Sequence, residues 1–131
     1  MLRSTLLIVI CALASTVAFG QDEMAQYQPL MKAVVASFGP LRMAVMAKDT
    51  AGAAAAATKL EGTFDQVLAF WQKKGASDAV EFATNARDAA KAIAGSTDAA
   101  AQAASMMKLQ QQCGGCHMAH RMGAAPNFMI H

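Results

Sequence analysis

Little in this sequence of 131 residues suits a sheet. Beyond residue 20 it holds only five Val and two Ile, too few β-branched apolar side chains for an all-β or α/β domain. Charge is scarce as well, at 15% of residues, and Lys73-Lys74 is the only adjacent basic pair. That pattern excludes a nucleic-acid footprint, which would be a clustered basic face. Three Pro and nine Gly are scattered rather than clustered, which argues against disorder and collagen-like repeats. No paired carboxylates and no nucleophile–base arrangement stand out, so the chain is not expected to be an enzyme. What is abundant is Ala, with 31 residues, the best helix former and one that adds little core volume. A small helical protein of one domain follows.

The first twenty residues read as a separate unit. Arg3 precedes the apolar run Leu6-Leu7-Ile8-Val9-Ile10-Cys11-Ala12-Leu13, and Ala18-Phe19-Gly20 gives way to polar Gln21-Asp22-Glu23. A basic start, a short apolar centre and small residues before a polar boundary describe a secretory signal peptide. The expectation is a leader at 1–20, cleaved after Gly20, and an exported, periplasmic domain at 21–131. The apolar stretch ends near Phe19, short of the roughly 20 residues a spanning helix needs, so no stable membrane insertion of the mature chain is expected. Cys11 leaves with the leader, and Cys113 and Cys116 remain. A disulfide between residues three apart closes too small a loop to restrain the unfolded chain much. Their purpose is chemical.

Periodicity and punctuation mark four helices, at about 22–48, 51–74, 78–94 and 97–122. In the first, Met24, Tyr27, Met31, Val34, Val35, Phe38, Leu41 and Val45 recur at three- and four-residue steps. Pro29 suits a helix start, and Gly39-Pro40 should kink or break the helix. The second has Asp49 and Thr50 as caps, Gly75 as its stop and Leu60, Phe64, Val67, Leu68 and Trp71 as its apolar stripe. Gly52 and Gly62 within it are either close-packing positions or tolerated defects. The third opens at Ser77-Asp78 with Glu81 in capping-box spacing, and Phe82, Ala83, Ala86, Ala90 and Ile93 line one side. The fourth runs through Met106, Leu109, Cys113, Cys116, His117 and His120 towards Gly123. Short connections favour antiparallel neighbours. The fold class is therefore all-α, an antiparallel up-and-down four-helix bundle. Mostly Ala on the inward faces of the third and fourth helices leaves a thin core, a deficit that a large planar apolar ligand would fill.

Cys113-Gly114-Gly115-Cys116-His117 is the C-x-x-C-H signature of covalent c-type haem attachment. Two thiols three residues apart share one side of a helical turn and can form thioethers with both haem vinyl groups. The adjacent imidazole can then bind iron, and Gly114 and Gly115 let the backbone pass close to the ring. One motif implies one haem c. Two other readings stand beside it. A thioredoxin-like dithiol needs a βαβ context, and no strand pattern is present. A zinc site from Cys113, Cys116, His117 and His120, with the abundant Met suggesting copper as well, would have to close a tetrahedron from eight consecutive residues.

Lying in the last of four helices, the motif resembles that of the class II c-type cytochromes, the cytochrome c prime family. After it, Arg121 matches the family's basic residue, while His120 stands where the family has Tyr or Phe. Gln28-Pro29-Leu30-Met31-Lys32 is similar to the Gln-x-Leu-Met-Lys segment of the low-spin cytochrome c-556 type. The resemblance implies Met31 as the distal axial iron ligand, opposite His117 as the proximal one. Independently, Met31 falls on the apolar face of the first helix, where filling core space is its other use. Tyr27 is followed by Gln28, where the family often has a basic residue that meets a haem propionate.

The function implied is one-electron transfer by a periplasmic monohaem cytochrome with His/Met ligation, meeting another redox protein through a small transient interface. The alternative is a five-coordinate haem protein that binds or buffers nitric oxide or carbon monoxide; a haem-free zinc or copper module comes third. The resemblance also admits a homodimer paired through the first helix. His120 is expected to pack beside the haem or face solvent, and His131 to be a mobile terminus.

Overall fold

The computed structural model describes the backbone from Leu2 to His131 and the side chains from Asp22 onward. The expected leader at 1–20 and its cleavage after Gly20 fall outside the residues whose side chains are described. Four helices are present: α1 (Leu2–Met46), α2 (Thr50–Lys74), α3 (Ser77–Ala94) and α4 (Ala99–His120). They pack against one another in chain order, as in a four-helix bundle. Two short strands follow, β1 (Arg121–Met122) and β2 (Met129–Ile130), paired antiparallel with Met122 opposite Met129. Among the described residues no helix is long and apolar enough to cross a membrane.

The expected first helix, about 22–48, forms the C-terminal part of α1, and the break expected at Gly39-Pro40 does not occur. Each Pro leaves the carbonyl four residues earlier without its helical donor. Pro29, Pro40, Ala25 and Ala36 are all exposed, so water satisfies those carbonyls at little cost. An unbroken helix keeps one register, and Tyr27, Val34 and Leu41 are its buried residues at seven-residue steps. Leu30, Met31, Phe38 and Val45 pack beside them, half-buried. Val35, expected on the same face, is instead 71% exposed. The helix stops at Met46 because Lys48 adopts a left-handed conformation, φ 56°.

Caps place the other helices. The Asp49 carboxylate accepts from the Gly52 N–H at 2.9 Å, and a Cβ on Gly52 would collide with that carboxylate. Gly52 thus makes room for the cap, not for a neighbouring helix, and a Cβ on Gly62 would meet nothing. Gly75, φ 79°, closes α2 with its N–H directed to the carbonyls of Trp71 and Gln72. The capping box expected at the start of α3 is absent: Ala76 is the N-cap and makes no side-chain bond. Asp78 instead accepts from the adjacent Ala79 N–H and faces His120. Asp98 caps α4 by accepting from the Ala101 N–H at 2.7 Å.

Small residues set the spacing. Ala79, Ala83, Ala86, Ala89 and Ala90 are the buried face of α3, joined by Ile93, and they let α3 lie close to both α2 and α4. Tyr27, Phe70 and Trp71 join α1 to α2, with ring centroids 4.9 to 5.3 Å apart, each such pair adding about 0.5–1.5 kcal/mol beyond its area. Lys74 and Glu23 form an ion pair beside them.

The buried polar side chain is Gln102. Its Nε2 donates to the carbonyls of Thr50, Ile93 and Ser96 at 3.0, 3.2 and 2.8 Å, tying the start of α2 to the α3–α4 turn. Replacing it by Leu removes all three bonds, leaving the Ile93 carbonyl with its bond from the Ser96 N–H. Urea unfolding of Gln102→Leu should therefore show a loss of about 1–3 kcal/mol, and a stability equal to that of the parent would contradict this role.

Candidate functional site

Helices α1 and α4 approach each other much less closely than the other neighbouring pairs. Two hollows lie along this seam. The larger, about 420 Å³, is bounded by α1 on one side and by the end of α4 and the β1–β2 hairpin on the other. The smaller, about 40 Å³, lies deeper, where Phe64 and Val67 of α2 and Phe82, Ala83 and Ala86 of α3 meet the two. Tyr27, Met31, Val34, Cys116 and His117 border both.

The motif is carried on regular helix. Residues 113–120 remain within α4, so Cys113 and Cys116 lie on one side of it a turn apart, with His117 beside them. Both thiols are free and half-buried, Cys113 against the smaller hollow and Cys116 against both. Burial pushes the Cys113 thiol up. For Cys116 burial, then the neighbouring Cys113 and Asp78, raises it to about 11. Both are held as neutral thiols, whereas a redox-active dithiol needs a lowered pKa. Burial, then the charge of Arg121, lowers His117 below its ordinary value, so its imidazole is neutral near pH 7 with a lone pair free for a metal.

Met31 reaches the seam from α1. Met24 and Met129 border only the larger hollow; Met31 borders both together with His117. Gln28 and Lys32 lie on the same wall, so a cation is supplied one helical turn after the position where Gln28 stands. Arg121, across the hollow, lies over the Phe128 ring at 4.3 Å.

The two glycines of the motif differ. A Cβ on Gly115 would come within 2.5 Å of the Phe82 ring, whereas one on Gly114 would meet nothing within 4 Å. Close approach by α3 therefore requires Gly115 and not Gly114.

His120 is not a solvent-facing neighbour of the motif. Its Nε2 lies 2.9 Å from Asp78 Oδ2 and its Nδ1 3.0 Å from the His131 carbonyl oxygen. Its ring lies 4.9 Å from that of Trp71, and its side chain is only 13% exposed at the rim of the larger hollow. Partial burial pushes the Asp78 carboxyl up, but the hydrogen bonds from His120 and the Ala79 N–H outweigh it and hold the group below its usual pKa. His131, expected to be mobile, also donates its N–H to the His120 carbonyl at 3.1 Å. Among the described residues no three His, Cys, Asp or Glu side chains converge on a metal position, and His120, the fourth ligand of a zinc reading, is engaged by Asp78.

Sequence reasoning missed the wall formed by Pro126, Phe128, Met129 and Ile130. The signals were Gly123, with φ 83°, and a short apolar run after Asn127. The hollow has the size and largely apolar lining of a cofactor site, which usually measures about 300–1,000 Å³. With Cys116, two imidazoles and three thioethers along it, and Cys113 on the adjoining smaller hollow, the donor set fits haem.

Gly115→Ala should destabilise the protein by about 1–3 kcal/mol through overpacking against Phe82. Gly114→Ala should be neutral or stabilise α4 by up to about 1 kcal/mol. Equal losses for the two in urea unfolding would mean that both glycines answer one constraint.

No family model, no curated protein and no solved structure matches this chain at a significant level.

Proposed function

We propose that this chain is an exported one-electron carrier containing a single haem c, similar to the low-spin cytochromes of the cytochrome c prime family. One observation carries the reading: His117 of α4 and Met31 of α1 border the same two hollows, as does Cys116, with Cys113 on the smaller one. When bound there, haem supplies an iron that takes up and returns one electron. Cys113 and Cys116 would hold the group by thioethers, and His117, neutral at the pH of the periplasm, would be the proximal ligand.

The other residues suit a carrier. Met31 would offer the iron a thioether, which would leave no room for a gas and would favour the ferrous state relative to a second imidazole. Tyr27, Val34, Phe64, Val67 and Phe82 make the surroundings apolar, limiting the water that must reorganise when the charge at the site changes. Lys32 and Arg121 at the rim are cations for the acidic side chains of the group. Electrons would leave to another redox protein through a transient contact at the seam.

Visible spectra of the protein exported from a host able to attach haem test this directly. Sharp low-spin bands, a weak far-red charge-transfer band in the ferric form and indifference to carbon monoxide are expected. Met31→Ala should abolish the far-red band and admit carbon monoxide. A high-spin parent that binds carbon monoxide readily would reduce Met31 to packing and make the protein a gas-binding haem protein.

A further inference from the structure

The segment Arg121–His131 leaves α4 as a flap. Its chain turns back at Gly123, and Pro126, Phe128, Met129 and Ile130 form the outer wall of the larger hollow. Strands of two residues supply little stability, because even a full isolated hairpin is marginal in water. Ile130 is the flap residue that packs against the core, while Phe128 and Met129 are 37% and 48% exposed.

What secures the flap is concentrated at one residue. The flap departs from His120, and its last residue returns there. The His131 N–H donates to the His120 carbonyl, and His120 Nδ1 lies within hydrogen-bond distance of the His131 carbonyl oxygen. His120 is itself fixed to the bundle by Asp78 through Nε2 and by its ring against Trp71. Losing the two bonds to His131 and the short β1–β2 ladder, and lifting Ile130, would expose the hollow without moving a helix, a local opening well below the cost of global unfolding.

We infer that the flap is a gate on the larger hollow, latched by His120, that sets how fast small ligands reach the space between Met31 and His117. The inference rests on the haem reading for what lies behind the gate; flap and latch stand apart from it. His120 acts as a positioning residue, through His131 and the wall that His131 ends.

The test uses full-length exported protein in a Met31→Ala background, so that release of the thioether does not limit entry. His120→Phe keeps a ring against Trp71 and removes both side-chain hydrogen bonds. A second variant ends the chain at Gly123 and has no flap to misfold. Imidazole binding to the ferric protein should speed up by about threefold or more in both variants, as expected where a conformational step limits association. The His131 N–H should lose its protection from hydrogen exchange in His120→Phe. A smaller change in both association rates overturns the gate even where spectra uphold the haem. If the exported chain carries no haem, the haem reading fails by itself. The same rates are then read from anilinonaphthalene sulfonate entering the hollow, with the same threshold, about threefold, deciding for or against the gate.

Discussion

The open seam between α1 and α4 is the constraint on which the rest of this protein depends. Ala-faced α3 draws α2 and α4 close, and the Tyr27–Phe70–Trp71 cluster fastens α1 to α2. Neither device acts on the α1–α4 pair. Close packing elsewhere therefore leaves α1 and α4 apart over the stretch that carries Met31 and His117. Interiors of folded proteins are ordinarily packed as densely as organic crystals, so an apolar space of about 420 Å³ is a place for something besides side chains.

The chemistry along that seam is consistent from one residue to the next. Partly withdrawn from water, the thiols stay protonated and the imidazole neutral. Such a site neither attracts a free hard cation nor runs thiol–disulfide exchange readily. Thiols, a neutral imidazole and a thioether are what a covalently held iron porphyrin uses. Burial that would be a liability for a dithiol enzyme suits residues that become covalently committed once and then remain so.

Much of this was legible in the sequence because it follows from local rules. Helix ends at Asp49 and Gly75 coincide with their caps, and the Ala-rich third helix announced a thin core. Tyr27, Val34 and Leu41 could be read from periodicity, as could the common side of Cys113, Cys116 and His117. Where the reading failed, a distant partner decided the outcome. Asp78 looked like part of a capping box, yet it faces His120, 42 residues away. Gly39-Pro40 looked like a kink or a break, yet Ala36 and Pro40 are exposed and the helix continues. The hairpin wall was hidden because its strands are two residues long and carry no period. Val35 was misplaced because an apolar stripe does not reveal which of its edges overhangs an open seam.

The mass of the unfolded exported chain, taken after exposure to an alkylating reagent, tests the central claim most directly. A chain heavier by one haem is expected, with Cys113 and Cys116 closed to the reagent because both sulfurs would be thioethers. A chain of unaltered mass carrying two alkylated cysteines, recovered from a host that loads other c-type cytochromes, would contradict it.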